Sequence, residues 1–415
     1  MEIKIGKSKP ILRFKKGDKN SIRISDDKIE VIYEKPLKGI ALAKTIYRIF
    51  KEIDSFYSPV YDKFILYGAM LSDYKYYLKK EDKPSNKVLY LNKYDEKDLI
   101  YIKSEIYARE IANSPSNIAT PEWMVDKAKE LAKQEGLEIE ILDRKDMRNL
   151  GMNLFLAVNQ GSDKGAYLVR LTYKGSDKSI ALLGKGLCFD TGGLSIKPAK
   201  NMYTMNMDKS GAAVVLGVMK AIAALKPKVT VHGFLALTEN SVDSKSIQPG
   251  AIVKGYNGKY VEIVHTDAEG RLVLADSIAY IEEKYKPNLT ITIATLTGAA
   301  NIVVGRYATP ILGNDQNAIK HIIKIGEKEY ERLWQLPLYP EYNELLKSNY
   351  ADLRNIGGWE GEAGTIVGAK FIENFVNGKW VHLDIASTMI DHDFTESARA
   401  PNTRTLIRFI NEYKI

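Results

Sequence analysis

A chain of 415 residues, 45% apolar and 27% charged, has the make-up of a folded soluble protein of two or three domains and excludes a disordered tail or a fibrous repeat. No apolar run reaches the roughly 18 residues of a membrane span, and the start MEIKIGKSKPILRF scatters charges where a signal peptide needs an unbroken apolar stretch, so a cytoplasmic location is expected. The net charge of +8 sits in front: residues 1–110 hold 24 Lys and Arg against 17 Asp and Glu, and the rest carry 36 against 35.

Twelve of the 25 tyrosines share that basic front segment, a mixture that could make a nucleic-acid surface with stacking rings. A solvated surface explains the same composition without a partner. The single cysteine, Cys188, excludes an internal disulfide and any zinc site built from several thiolates. With five histidines and no HExxH, a metal would need carboxylates.

Along the chain, strand-like runs are predicted at 28–33, 63–67 and 88–91, and helical spacing at 41–53 and 96–112. These form a small N-terminal α/β domain over 1–115. The pattern breaks at SPSNIATPEW, where Thr120 before Pro121 signals a helix start; a connecting helix is placed within 116–135, ending at Glu135. The remainder, 136–415, reads as a larger α/β domain with a mainly parallel central sheet flanked by helices. Its predicted strands are 179–183, 228–237, 260–264, 289–294 and 380–385, and its clearest helices are 210–225 and 271–285.

Ligands of open α/β sheets bind beyond the carboxyl ends of the strands, and acids follow three of the predicted strand or loop segments. Gly184-Lys185-Gly186 leads to Asp190-Thr191-Gly192-Gly193; Met205-Asn206-Met207-Asp208 precedes a helix; His265-Thr266-Asp267-Ala268-Glu269-Gly270-Arg271 follows another run. Asp267 and Glu269, two apart, point to one side of an extended chain. Four converging carboxylates raise one another's pKa unless cations intervene, so a metal site is the economical reading. Lys185 could ligate as a neutral amine or act as a counter-charge. Taken singly, each segment has a simpler reading: a glycine turn around Asp190, an acidic cap on the Arg271 helix, a helix cap at Asp208.

Together these blocks resemble the leucyl aminopeptidases, hexameric two-metal peptidases. The resemblance rests on GKG through DTGG, Lys197, Met205 with Asp208 and Gly211-Ala212-Ala213, and TDAEGRL at Thr266–Leu272. It continues in ATLTGA at Ala294–Ala299, Ala351-Asp352 with Asn355, HLDIA at His382–Ala386 and Arg404-Thr405-Leu406, and reaches back to Asn113–Pro121 and Leu150-Gly151-Met152.

It implies that Asp190 and Glu269 bridge two divalent metals, Zn²⁺ or Mn²⁺ with Co²⁺ or Mg²⁺ as alternatives. Asp267 would serve the more exchangeable site, and Lys185 and Asp208 the tighter one. Lys197 would stabilise the oxyanion. Arg271 would hold a bicarbonate ion as general base, which removes the need for a His or a free Glu. Thr295 and Leu296 would offer backbone groups to the substrate, and Met205 would line the pocket for its first side chain. The implied activity is release of N-terminal residues, leucine and other apolar ones, from peptides with a free amine, by a homohexamer. A Cys-Gly dipeptidase and an added nucleic-acid role through the front domain are the alternatives.

Departures from the family pattern are Asn206, where a basic residue is usual, Lys209-Ser210 in place of Met-Gly or Met-Cys, and Trp359-Glu360, where an Arg is frequent. The front domain is short and matches the pattern poorly.

Overall fold

The computed structural model describes residues 1–18, 20–76, 85–358 and 361–413; Trp359 and Glu360 therefore lie outside the described residues. The chain divides into two compact units, residues 1–106 with 391–397, and 107–390 with 398–415. The division falls inside the helix Glu96–Asn113, ahead of the boundary expected from the sequence.

In the first unit, six strands run in the order Glu2–Ile5, Val88–Leu91, Ser55–Ser58, Ile11–Lys16, Lys28–Tyr33 and Ser21–Ile24. All neighbours are parallel except the last pair. The helix Gly39–Glu52 buries Leu42, Ala43, Ile46, Ile49 and Phe50, a stripe at the 3.6-residue period.

The strand predicted at 63–67 is instead the start of a helix, Lys63–Asp73. Its apolar run is too long for the strand, the Asp62 side chain caps it by accepting from Phe64 N at 2.8 Å, and most of its residues are buried. Gly68 serves helix packing: a Cβ there would lie 2.2 Å from Ala43 O.

The second unit is built on an eight-stranded sheet ordered Leu333–Gln335, Thr309–Gly313, Trp380–Asp384, Leu289–Ala294, Ser179–Asp190, Thr230–Asn240, Tyr167–Tyr173 and Glu138–Leu142. The four strands from Trp380–Asp384 to Thr230–Asn240 are parallel to one another, and antiparallel pairs flank them. This is the mainly parallel, helix-flanked sheet expected. Its central strand is buried on both faces from Ser179 to Cys188, as a parallel strand between helical layers must be.

The helix Pro121–Glu135 starts where the sequence places it. Thr120 Oγ1 accepts from Trp123 N at 3.3 Å, Pro121 occupies the first turn, and Gly136 ends it at φ 67°. It belongs to the second unit, packing on Ser210–Leu225 and on the sheet, and so is no linker. Gly270–Tyr285 packs on the same sheet with Asn153–Asn159 and Gly364–Glu373.

Two further expectations change. The 179–183 strand continues to Asp190, so Lys185 and Asp190 are strand residues. Tyr260–Ile263 is not in the central sheet; it pairs with Ala251–Lys254 and Leu353–Arg354 in a separate three-stranded sheet.

Candidate active site

Glycines bring the site together. The first turn of Ser210–Leu225 lies directly on the central strand: a Cβ on Gly211 would come within 2.2 Å of Ile293 O and 2.8 Å of Lys185 N. A Cβ on Gly184 would meet Gly211 O at 2.5 Å. This contact seats the 3₁₀ turn Met205–Lys209, with Asp208, against the strand carrying Lys185 and Asp190. Gly192 and Gly193, at φ 88° and 63°, then turn the chain back so that Lys197 returns to the acids.

Lys185 Nζ lies 2.8 Å from Glu269 Oε1, 3.0 Å from Asp208 Oδ2 and 3.0 Å from Thr295 O. Lys197 Nζ is 2.8 Å from Asp190 Oδ2 and also pairs with Asp267 Oδ1. Asp190 Oδ1 accepts from Gly192 N and Asn240 Nδ2, both at 2.8 Å. Thr295 Oγ1 donates to Asp208 Oδ1 at 2.6 Å. Glu269 stands at the N-terminus of the Gly270–Tyr285 helix without a side-chain cap bond, and no side chain caps Ser210–Leu225, so the hydrogen-bonding capacity of Glu269 and Asp208 goes to Lys185 and Thr295 instead.

Asp190, Asp267 and Glu269 each present an oxygen within 4.8 Å of the others. Glu269 Oε2 is buried with neither a hydrogen bond nor an ion pair among the described residues. An unsatisfied buried carboxylate oxygen is costly, and its presence in a cluster of acids fits a divalent cation.

The charges act on one another accordingly. Burial, with the charges of Glu269 and Asp190, pushes Asp267 up to about 7. Burial also lifts Asp208 to about 7, against the pull of Lys185. Asp190 is raised by burial and by Glu269. Burial opposes ionisation of Glu269, but Lys185 and Lys197 outweigh it and hold the group below the usual range. Burial works against both lysines too; the surrounding carboxylates nevertheless raise each of them.

The cluster opens into a cavity of about 450 Å³. Lys185, Lys197, Asp190, Asp208, Asp267 and Glu269 line it, with Met205, Thr295 and Leu296 as well as Thr297, Gly298, Ala386 and Met389. Nine of the ten site residues proposed from the sequence thus meet here. Arg271 does not line the cavity. It is buried behind it, Nη1 donating to Asn355 O at 2.8 Å and Nε unpaired among the described residues, and burial lowers its pKa to about 10. Gly368 lies next to it and next to two residues of the cavity: a Cβ on Gly368 would lie 3.4 Å from Arg271 Nη2, 3.2 Å from Leu296 Cδ2 and 3.0 Å from Thr297 Cγ2.

Thr295 and Leu296, expected to offer backbone groups to the substrate, each have one such group engaged within the protein. Thr295 O accepts from Lys185, and Leu296 N donates to Asp384 Oδ1 at 3.1 Å. Asp384, buried at the end of the neighbouring strand, also accepts from Thr297 Oγ1 at 2.6 Å and so staples this loop.

Sequence reasoning missed Asn240. It ends the strand beside the central one, in register with Asp190, and donates to Asp190 Oδ1 and Thr266 O. Its only sequence signal is a polar residue closing an apolar run. Asn355 is a second organiser: Oδ1 accepts from Val264 N and His265 N, and Nδ2 donates to His265 O, shaping the turn that presents Asp267 and Glu269.

Carboxylates and lysines gathered from the central strand, the 3₁₀ turn and the loop after Tyr260–Ile263 onto the wall of an open cavity make a carboxylate-centred site of the kind that holds divalent cations. The chain belongs to the cytosol aminopeptidase family, whose catalytic domain matches residues 106–408. It is 38% identical to the cytosol aminopeptidase of Rickettsia prowazekii over 95% of this chain and 84% of that protein. Identity to an Aquifex aeolicus protein named "Probable cytosol aminopeptidase" is 41%, over 84% of this chain and 74% of the other. A Hydrogenovibrio crunogenus protein of the same name is 45% identical over 68% of this chain, which spans 57% of that relative's length. No helix among the described residues is long and apolar enough to cross a membrane.

Proposed function

We propose that this protein is a metal-dependent aminopeptidase that releases N-terminal residues, leucine and other apolar ones, from peptides with a free amine. The observation that carries the reading is the triad Asp190, Asp267 and Glu269, with oxygens within 4.8 Å of one another and Glu269 Oε2 unpaired, on the wall of a cavity large enough for a dipeptide. Asp190, Glu269, Asp267, Asp208 and Lys185 would hold two divalent ions, Zn²⁺ or Mn²⁺. Such ions supply Lewis acidity to the scissile carbonyl and acidify the attacking water.

The chain's own groups do the rest. Asp208 accepts from the substrate's α-amine and so fixes the first peptide bond over the acids. Met205 and Met389, both on the cavity wall, exclude water from the first side chain. Lys197 leaves Asp190 and Asp267 to donate to the developing oxyanion. Arg271 holds bicarbonate as the proton acceptor. Its unpaired Nε and its place next to Gly368, which also adjoins Leu296 and Thr297, support this role. A cytoplasmic homohexamer is the proposed working form.

The test compares leucine amide with N-acetyl-leucine amide. Acetylation removes the amine's charge and lone pair and adds bulk where carboxylates crowd. Hydrolysis of the free substrate alone is expected; comparable rates on both would overturn the aminopeptidase reading.

A further inference from the structure

Lys209 is a fully buried lysine, at 0% exposure, in the residue after Asp208. A cation in the interior is normally paired with a carboxylate. Among the described residues Lys209 forms no ion pair. Its Nζ donates instead to two backbone carbonyls, Ser114 O at 2.7 Å and Asn206 O in its own turn.

The two carbonyls show what the ammonium connects. Ser114 follows the last residue of the helix Glu96–Asn113, and its own N–H and hydroxyl are spent on Ile111 O and Glu110 O. Asn206 lies inside the 3₁₀ turn Met205–Lys209. One side of that turn is held by Asp208, through Thr295 Oγ1 and Lys185. Lys209 holds the other side, and Met207 O is taken by Ser210 Oγ. With both sides tied, the turn has little freedom to swing the Asp208 carboxylate away from Lys185.

We propose that Lys209 is a positioning residue: its ammonium clamps the turn to the Ser114 carbonyl and thereby sets Asp208 for divalent-cation binding. The proposal rests on the metal-site reading given above. A simple filler role predicts the reverse for Lys209→Met, because a near-isosteric apolar side chain would relieve a desolvated charge at little cost in packing. A purely electrostatic role also predicts the reverse, since removing a positive charge beside the acids should tighten a dication.

The measurement is Zn²⁺ affinity of the chelator-stripped full chain, by competition with a chromophoric chelator and without substrate. Lys209→Met should weaken the site involving Asp208 about tenfold or more. In an Asp208→Asn background the same change should add less than about twofold, because coupled residues are non-additive and independent ones add. Equal losses in both backgrounds would mean a general structural effect and overturn the proposal. Unchanged or tighter binding in the single variant would do so as well. Should Lys209→Met not fold, Lys209→Leu, which likewise lacks a donor, is measured in the same two backgrounds against the same outcomes. If Asp208→Asn alone leaves Zn²⁺ affinity intact, the failure lies with the metal assignment of Asp208, and Lys209 has nothing to position.

Discussion

Asn240→Asp is an isosteric change at the most exacting contact of the acid cluster. The side-chain nitrogen now donates to Asp190 Oδ1 at 2.8 Å and to Thr266 O at 3.1 Å; the substitution puts an acceptor oxygen against both. Losing one hydrogen bond to a charged group and one to a neutral carbonyl costs about 2–4 kcal/mol before any repulsion is counted. If that loss is borne by the functional position of Asp190, kcat/KM should fall by roughly 30- to 900-fold, at about 1.36 kcal/mol per tenfold. Asp190 would keep Gly192 N and Lys197 as partners, so the chain should fold and the defect should be local.

The assay is leucine amide hydrolysis at about pH 8, with Zn²⁺ affinity and melting temperature recorded on the same preparations. Lowering the pH should narrow the deficit, because the new carboxyl, once protonated, can donate an O–H to Asp190. Wild-type kcat/KM and Zn²⁺ affinity within about twofold in the variant at pH 8 would refute the idea that Asn240 sets Asp190.

Gly211→Ala forces a Cβ to 2.2 Å from Ile293 O and 2.8 Å from Lys185 N, both backbone atoms; overpacking of about 3 kcal/mol should lower Tm by roughly 6 °C or more, and an unchanged melt would count against the close approach. Burial pushes Asp276 up to about 7 even though Phe155 N and Tyr256 N donate to it at 3.0 and 2.8 Å. The folded chain therefore binds this proton more tightly than the unfolded chain, whose value is about 3.9. The contribution is whole below about pH 4 and is lost as pH rises through about 7, by on the order of 4 kcal/mol. Urea midpoints of wild type and Asp276→Asn between pH 5 and 8 check it, and parallel pH slopes would refute the assignment. Arg271→Ala should lower kcat and make turnover rise with added bicarbonate while metal content holds; indifference to both the substitution and bicarbonate would remove Arg271 from the chemistry.

What was legible in the sequence was what local chemistry decides. Thr120, Pro121 and Gly136 bound one helix by capping and backbone preference alone. The strand Leu289–Ala294 and the helix Ser210–Leu225 also fall where their apolar patterns place them. The segment at 63–67 was misread because its four apolar residues, Phe64 to Tyr67, suit a strand or a buried helix equally, and packing of Gly68 on Ala43 decides between them.

Glycines 184 and 186 lie just past the apolar run 179–183, where the central strand was expected to end. They are strand residues without side chains because the helix beginning at Ser210 lies on them. Tyr260–Ile263 was recognisable as a strand, yet its place in a separate sheet is fixed by a partner over ninety residues away, Leu353–Arg354. The carboxylates and lysines of the site were legible through their motifs. Their supports, Asn240 beneath Asp190 and Asp384 beneath Leu296 and Thr297, hold them through contacts between strands, which no spacing along the chain encodes.

The central claim is that Asp190, Asp208, Asp267, Glu269 and Lys185 form a cation-dependent hydrolytic centre. Its most direct test is to strip the chain by prolonged chelation, verify metal removal by elemental analysis, and follow leucine amide hydrolysis as Zn²⁺ or Mn²⁺ is returned. The account predicts no turnover in the stripped protein and recovery that saturates near two ions per chain. Full activity in protein shown to be free of metal would contradict it.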